Sequence, residues 1–237
     1  MTSLHLGDIA VDVILKDIKN VHLSVYPPTG RVRISAPKRM SVDTIRVYAV
    51  SKLDWIKQQQ MRLREQERES RREYVDRESH YVWGRRHLLR VVEEDAAPDV
   101  QVRPGTMLLR VRPGAGEETK KALVAGWYRQ TLRAAAQPVI EVWEGRLRVG
   151  VQRLFVQQMR TKWGSCNTTA RSIRLNTELA KKPRECLEYV VLHELVHLIE
   201  RQHDERFRRY MDRFMPQWQH YRDELNRAPL AHVDWRY

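Results

Sequence analysis

The sequence predicts an α+β fold, and two observations carry the prediction. Short β-rich stretches separated by turn residues fill 9–36 and again 80–112. Helical periodicity fills 41–56 and 117–147 and resumes at Pro183, with a last short helix opening at Pro216.

The elements follow in order. Ile9 to Leu15 alternates partly, Val21 to Tyr26 is rich in β formers, and Pro27-Pro28-Thr29-Gly30 is a turn. Arg31-Val32-Arg33-Ile34-Ser35 alternates polar and apolar, the mark of a half-buried strand. Ser41 reads as a helix N-cap, followed by one apolar face of Val42, Ile45, Ala49, Leu53 and Ile56. From Arg62 to Glu78 the charges are dense and of mixed sign, which predicts a solvated helix held by i,i+4 pairs. This stretch also marks the seam between a module over 1–79, a β-hairpin and long helix, and a domain over 80–237. Tyr81-Val82-Trp83 and Leu88 to Val92, with Gly84 between, then Val100 to Arg103 and Met107 to Val111 about Pro104-Gly105, read as a small antiparallel sheet. Glu117 to Ala136 is a helix, and Pro138 is expected to separate it from a second one ending at Leu147. Leu154 to Met159 and Ser172 to Leu175 are strand candidates. Pro183 opens a helix to about Glu200, Asp204 caps another to about Met215, and Pro216 opens a last one. No internal repeat is visible.

Composition narrows the function. The chain has 237 residues, 42% apolar and 31% charged, enough to bury a core without covalent staples. No apolar run approaches the roughly 18 residues of a membrane span. The N-terminus lacks the basic-then-apolar layout of a secretory signal, and two cysteines, Cys166 and Cys186, make no disulfide framework. The expectation is a soluble, reduced, cytoplasmic protein with no membrane partner. The net charge of +13 is spread as +4, +5 and +4 over residues 1–79, 80–159 and 160–237. A diffuse excess favours polyanionic partners only weakly.

The segment His193-Glu194-Leu195-Val196-His197 carries the chemistry. Four residues advance about 400° on a helix, so both imidazoles point the same way, one turn apart. The helix is otherwise apolar, from Tyr189-Val190-Val191-Leu192 through Leu198-Ile199. Two histidines and a glutamate there need something to satisfy them, and a metal does. Glu194 is placed to act as general base on a water activated by the ion. His203, beyond the helix end, can swing back as third ligand and leave one open coordination position. At this chain's own His and Glu frequencies, His-Glu-x-x-His arises by chance about 0.03 times per sequence of this length. The spacing to His203 also fits metzincins, which carry Gly where this chain has Glu200.

Around this core, Met159-Arg160-Thr161-Lys162-Trp163-Gly164-Ser165-Cys166, Ile173-Arg174-Leu175-Asn176, Tyr189 to His197 and His203 to Phe207 resemble the blocks of the YgjP-like, WLM/SprT-related family of metal-dependent hydrolases. Arg31 to Pro37 and Asp54-Trp55-Ile56 extend the resemblance over nearly the whole chain, and Arg208 departs from the family's usual aromatic. The resemblance implies a zincin-like core, with an active-site helix, a small antiparallel sheet and an N-terminal α+β extension. It implies His193, His197 and His203 as ligands of one Zn2+ (Ni2+ or Mn2+ being alternatives) and Glu194 as catalytic base. Arg160, Lys162 and Trp163 are candidates for substrate contact, the two cations facing an anionic group; the alternative is a strand end with solvated charges. Tyr210 and Tyr221 are considered as oxyanion donors and read as packing residues, while Asp212 or Glu200 would orient a ligand histidine. Three functions follow: a zinc metallopeptidase, a nucleoside triphosphate pyrophosphatase at the same site, and a nucleic-acid-associated module using the diffuse charge.

Overall fold

A computed structural model describes residues 2–26, 29–65, 72–159 and 162–227. The chain divides into two compact units, Met1–Arg68 and Glu69–Tyr237. Among the described residues no helix is long and apolar enough to cross a membrane.

Alternation builds the first unit. Its strands are β1 (Thr2–Leu6), β2 (Ile9–Lys16), β3 (His22–Tyr26) and β4 (Arg31–Pro37), followed by α1 (Val42–Ser51) and α2 (Leu53–Glu65). The sheet order is β1-β2-β4-β3, with β2 and β4 parallel at the centre and antiparallel edges. Val11, Val13, Val32 and Ile34 face Ile45, Ala49 and Ile56 in one core. Ser41 caps α1, its Oγ accepting from Thr44 N at 3.2 Å. The helical run breaks at Lys52, so the face read as one helix is carried by two.

The second unit opens with the same topology. Strands β5 (Ser79–Val82), β6 (Arg85–Glu93), β7 (Asp99–Arg103) and β8 (Thr106–Val111) stand in the order β5-β6-β8-β7, and the helix α3 (Glu117–Leu147) follows. The expected antiparallel sheet is therefore mixed, with β6 and β8 parallel. The two most apolar strands take the centre and bury Leu89, Met107, Leu109 and Val111. The sheet repeats that of the first unit, against the expectation of no repeat. A constant offset of 75 residues relates Gly30 to Gly105, Val32, Ile34 and Ala36 to Met107, Leu109 and Val111, and the first residue of α1 to that of α3. From Gly30 to Val42 only the glycine is identical to its counterpart. Both glycines have positive φ, +73° and +70°, which the turn requires.

Two further expectations change. The stretch Arg62–Glu78 is helical over 62–65, where it completes α2, and not over 72–78: there the Glu78 carboxylate accepts from Glu73 N and Tyr74 N at 3.0 and 2.7 Å, and Arg77 N donates to Leu89 O. A carboxylate that caps local amides competes with helix formation. Residues 66–71 of the same predicted helix lie outside the described residues. Pro138 sits inside α3, which runs unbroken for 31 residues. An interior proline costs about 3 kcal/mol. Buried Tyr128, Leu132 and Ala136 before it, and Ile140, Trp143 and Leu147 after it, hold both halves to one core. At roughly 1.5–3 kcal/mol per large buried side chain, packing outweighs the break.

The remaining elements are β9 (Arg153–Gln157), β10 (Gly164–Asn167), β11 (Ser172–Asn176), a 3₁₀ turn (Thr177–Lys181), α4 (Arg184–Val196), α5 (Glu205–Phe214) and α6 (Trp218–Arg227). The second sheet of this unit has the order β10-β11-β9, with β10 antiparallel to β11 and β9 parallel to it, so this sheet too is mixed. Strand β10 is its edge. Helix α4 is apolar on nearly every side and packs among α3, α5, α6 and β10.

Candidate active site

Pro183 precedes the first turn of α4, and the helix carries His193 and Glu194 near its end. It stops at Val196 rather than near Glu200. Leu198 N and Ile199 N bond three residues back, to Leu195 O and Val196 O, which tightens the last turn and reverses the chain. Asp204 then caps α5, accepting from Phe207 N at 2.9 Å. Between that turn and that cap, His203 comes back to the helix.

The three histidines meet. One ring nitrogen from each of His193, His197 and His203 lies within 4.8 Å of the others. His203 Nε2 and His193 Nε2 are 3.0 Å apart. His197 Nδ1 donates to the main-chain oxygen of Glu200 at 3.1 Å; a carbonyl only accepts, so this bond sets the tautomer and leaves Nε2 for the cluster. The orienting group is thus the Glu200 backbone and not its side chain. Asp212, the other candidate, accepts from Trp218 Nε1 at 2.7 Å. Phe207 lies against all three rings, with centroid distances of 4.9, 4.8 and 4.7 Å, and is 2% exposed. Burial, with the neighbouring imidazoles, pushes His193 down to about 3, and burial lowers His197 as well. Both rings are therefore neutral donors at neutral pH.

Glu194 is 6% exposed beside the triad, and burial pushes its carboxyl up to about 8, with Lys162 opposing. Gly164 at the start of β10 makes room for it. A Cβ there would come within 2.6 Å of Glu194 Oε1.

A single divalent ion fits this donor set. Tetrahedral zinc, with bonds of ~2.0–2.1 Å, separates its nitrogen ligands by about 3.3 Å. The 3.0 Å between His193 Nε2 and His203 Nε2 and the 4.8 Å limit on the whole set bracket that separation.

The cleft over the triad encloses about 520 Å³. Of the three residues proposed from the sequence for substrate contact, Lys162 and Trp163 line it, and Arg160 lies outside the described residues. Neither Tyr210 nor Tyr221 lines it; Tyr189 does, edge-on to His193 at 5.8 Å. Cys166 is half-buried in the cleft wall, and burial pushes its thiol up to about 11. Cys186 is buried, donates to Glu224 Oε2 at 3.6 Å, and is pushed up to about 12, burial being the main cause. Neither thiol is poised to react.

A family model described as the YgjP-like metallopeptidase domain matches residues 19–228. The chain belongs to the YgjP-like family. No curated relative matches it. Solved structures similar to parts of it include two metallopeptidase zymogens. Jannalysin of Methanocaldococcus jannaschii is 18% identical, with a TM-score of 0.35, over 38% of this chain and 86% of that one. Abylysin of Pyrococcus abyssi is 17% identical, with a TM-score of 0.36, over 40% of this chain and 99% of that one.

In this YgjP-like chain several contributors have no role in the sequence reading: Gly164, Asn176 and Phe207, which it names only within the matching blocks, and Arg201 and Arg222. Asn176, 6% exposed, holds the loop that delivers Lys162. Its Nδ2 donates to Met159 O and Lys162 O at 3.0 and 2.9 Å, and its Oδ1 accepts from Met159 N and Glu178 N. Asn176→Ala strands these groups, at about 1–3 kcal/mol for each one left buried. The expected result is a lower denaturation midpoint and a raised KM, with metal content unchanged.

Proposed function

We propose that the chain hydrolyses peptide bonds with one divalent ion, zinc by preference, held by His193, His197 and His203 in a zincin-like core, with Glu194 as general base. The observation that carries this reading is the convergence of three imidazoles, two of them held neutral by burial, beside one buried carboxyl. When bound, the ion supplies Lewis-acid activation of water and of the scissile carbonyl.

The chain's own residues do the rest. Glu194 takes the proton of the attacking water and returns it to the leaving amine, a role open to a buried carboxyl that stands beside the three ring nitrogens. The Glu200 carbonyl fixes the His197 tautomer, and Phe207 keeps water from the back of the triad. The backbone of edge strand β10 lines the cleft through Gly164, Ser165 and Cys166. An extended peptide can add to such an edge through main-chain hydrogen bonds, which favours a peptide over a nucleotide.

Elemental analysis of the wild type and of His203→Ala tests the site. The expected result is about one ion per wild-type chain and a loss of at least tenfold in affinity in the variant. A wild type that stays metal-free after incubation with zinc, nickel and manganese overturns the reading.

A further inference from the structure

Three cations line the same cleft, each from a different element. Lys162 comes from the loop before β10, Arg201 from the turn after α4, and Arg222 from α6. The single carboxylate among the lining side chains is Glu194, which the proposed chemistry occupies. Lys162 and Arg201 are exposed and have no ion-pair partner among the described residues. Arg222 lies over the Trp218 ring at 5.1 Å, which holds its guanidinium in place, and among the described residues it pairs with the adjacent, half-buried Asp223 at 3.0 Å. Folding gives Arg201 no carboxylate to pair with among the described residues, and gives Lys162 only the nearby Glu194. A concave surface lined by one sign of charge focuses the field and concentrates ligands of the opposite sign. Edge strand β10 lines the same cleft and offers its main chain to an extended ligand, so the anionic ligand that satisfies both the cations and the strand is itself a peptide.

We propose that the cleft selects extended peptides carrying Asp or Glu close to the scissile bond, with Lys162, Arg201 and Arg222 as the residues that recognise them. This rests on the peptidase reading above.

The test uses two fluorogenic peptides with one core sequence, flanked by glutamates in one and by lysines in the other. With the metal-loaded enzyme at low salt, kcat/KM is expected to favour the acidic peptide by about tenfold or more, and the preference to shrink as salt screens it. Arg201→Glu removes no ion pair of the described residues, so its melting temperature is expected to hold while the preference falls or inverts. Arg201→Glu/Arg222→Glu is expected to invert it. A second readout needs no turnover: labelled acidic peptide binds Glu194→Gln about tenfold more tightly than the basic one by fluorescence anisotropy. Cleavage that depends on Glu194 but shows no acidic preference, or one untouched by these reversals, overturns this inference and leaves the peptidase standing. No peptide cleavage, with or without hydrolysis of nucleoside triphosphates, overturns the peptidase reading and this inference with it.

Discussion

Glu194→Gln abolishes turnover and leaves the metal in place. Glutamine has the same shape and keeps a polar tip in the same pocket, but it cannot accept and return a proton. Loss of a general base costs typically 10²–10⁴-fold, so kcat is expected to fall by about that factor or more. The histidine triad is untouched, so metal content by elemental analysis stays at the wild-type value. The variant also gives a stability signature in the metal-free protein. Burial raises the folded carboxyl from its ordinary value of 4.5 to about 8, so between these values the folded state binds the proton and the unfolded state does not. Wild-type stability is therefore expected to fall as pH rises through that window, and the glutamine variant lacks this dependence. The melting temperature of metal-free Glu194→Gln should exceed that of metal-free wild type by a margin that grows from pH 5 to pH 8 and then levels. The contribution of His193, displaced downward, is common to both proteins and cancels in the difference. Full activity in the variant would remove Glu194 from the mechanism.

What the sequence made legible was local. The spacing of His193 and His197 is a statement about one helix, and the caps at Ser41 and Asp204 concern three residues each. The alternation of Val32, Ile34 and Ala36 is a property of one strand. What escaped depends on partners far along the chain. Pro138 stays in α3 because residues on both sides of it are buried in one core, which no local rule weighs. The repeat of the four-stranded sheet is invisible to identity because it is preserved in turn geometry and burial. The orienting group of His197 is a backbone carbonyl, and a carbonyl has no residue type to recognise. The charge of the cleft is likewise hidden: Lys162, Arg201 and Arg222 are scattered along the sequence and converge only in the fold. Gly164 belongs to this second class, since its meaning lies in a side chain thirty positions away.

Gly164→Ala is expected to lower kcat by about a hundredfold while the triad keeps its metal. The added Cβ would sit 2.6 Å from Glu194 Oε1, 2.9 Å from Glu194 Cγ and 2.8 Å from Val190 Cγ1, all closer than real Cβ contacts. The carboxylate oxygen can rotate away. The other two atoms lie close to the backbone of α4, a helix buried on nearly every side, and β10 is held by its ladder to β11. The structure must therefore move β10 off α4 or turn Glu194 out of its position. Gly164 has no left-handed φ, so backbone strain does not enter and the effect is one of space. Overpacking of this kind costs about 1–3 kcal/mol of stability, and a misplacement of about 1 Å costs on the order of 10²-fold in rate. A second variant separates the two effects. Gly164→Ala/Val190→Ala removes the clash with the valine methyl and keeps the clash with Glu194. The melting temperature of the double variant is expected to recover part of its loss while kcat does not. Wild-type turnover in Gly164→Ala, or joint recovery of stability and kcat in the double variant, would show that the glycine serves packing alone and that Glu194 has room to act without it.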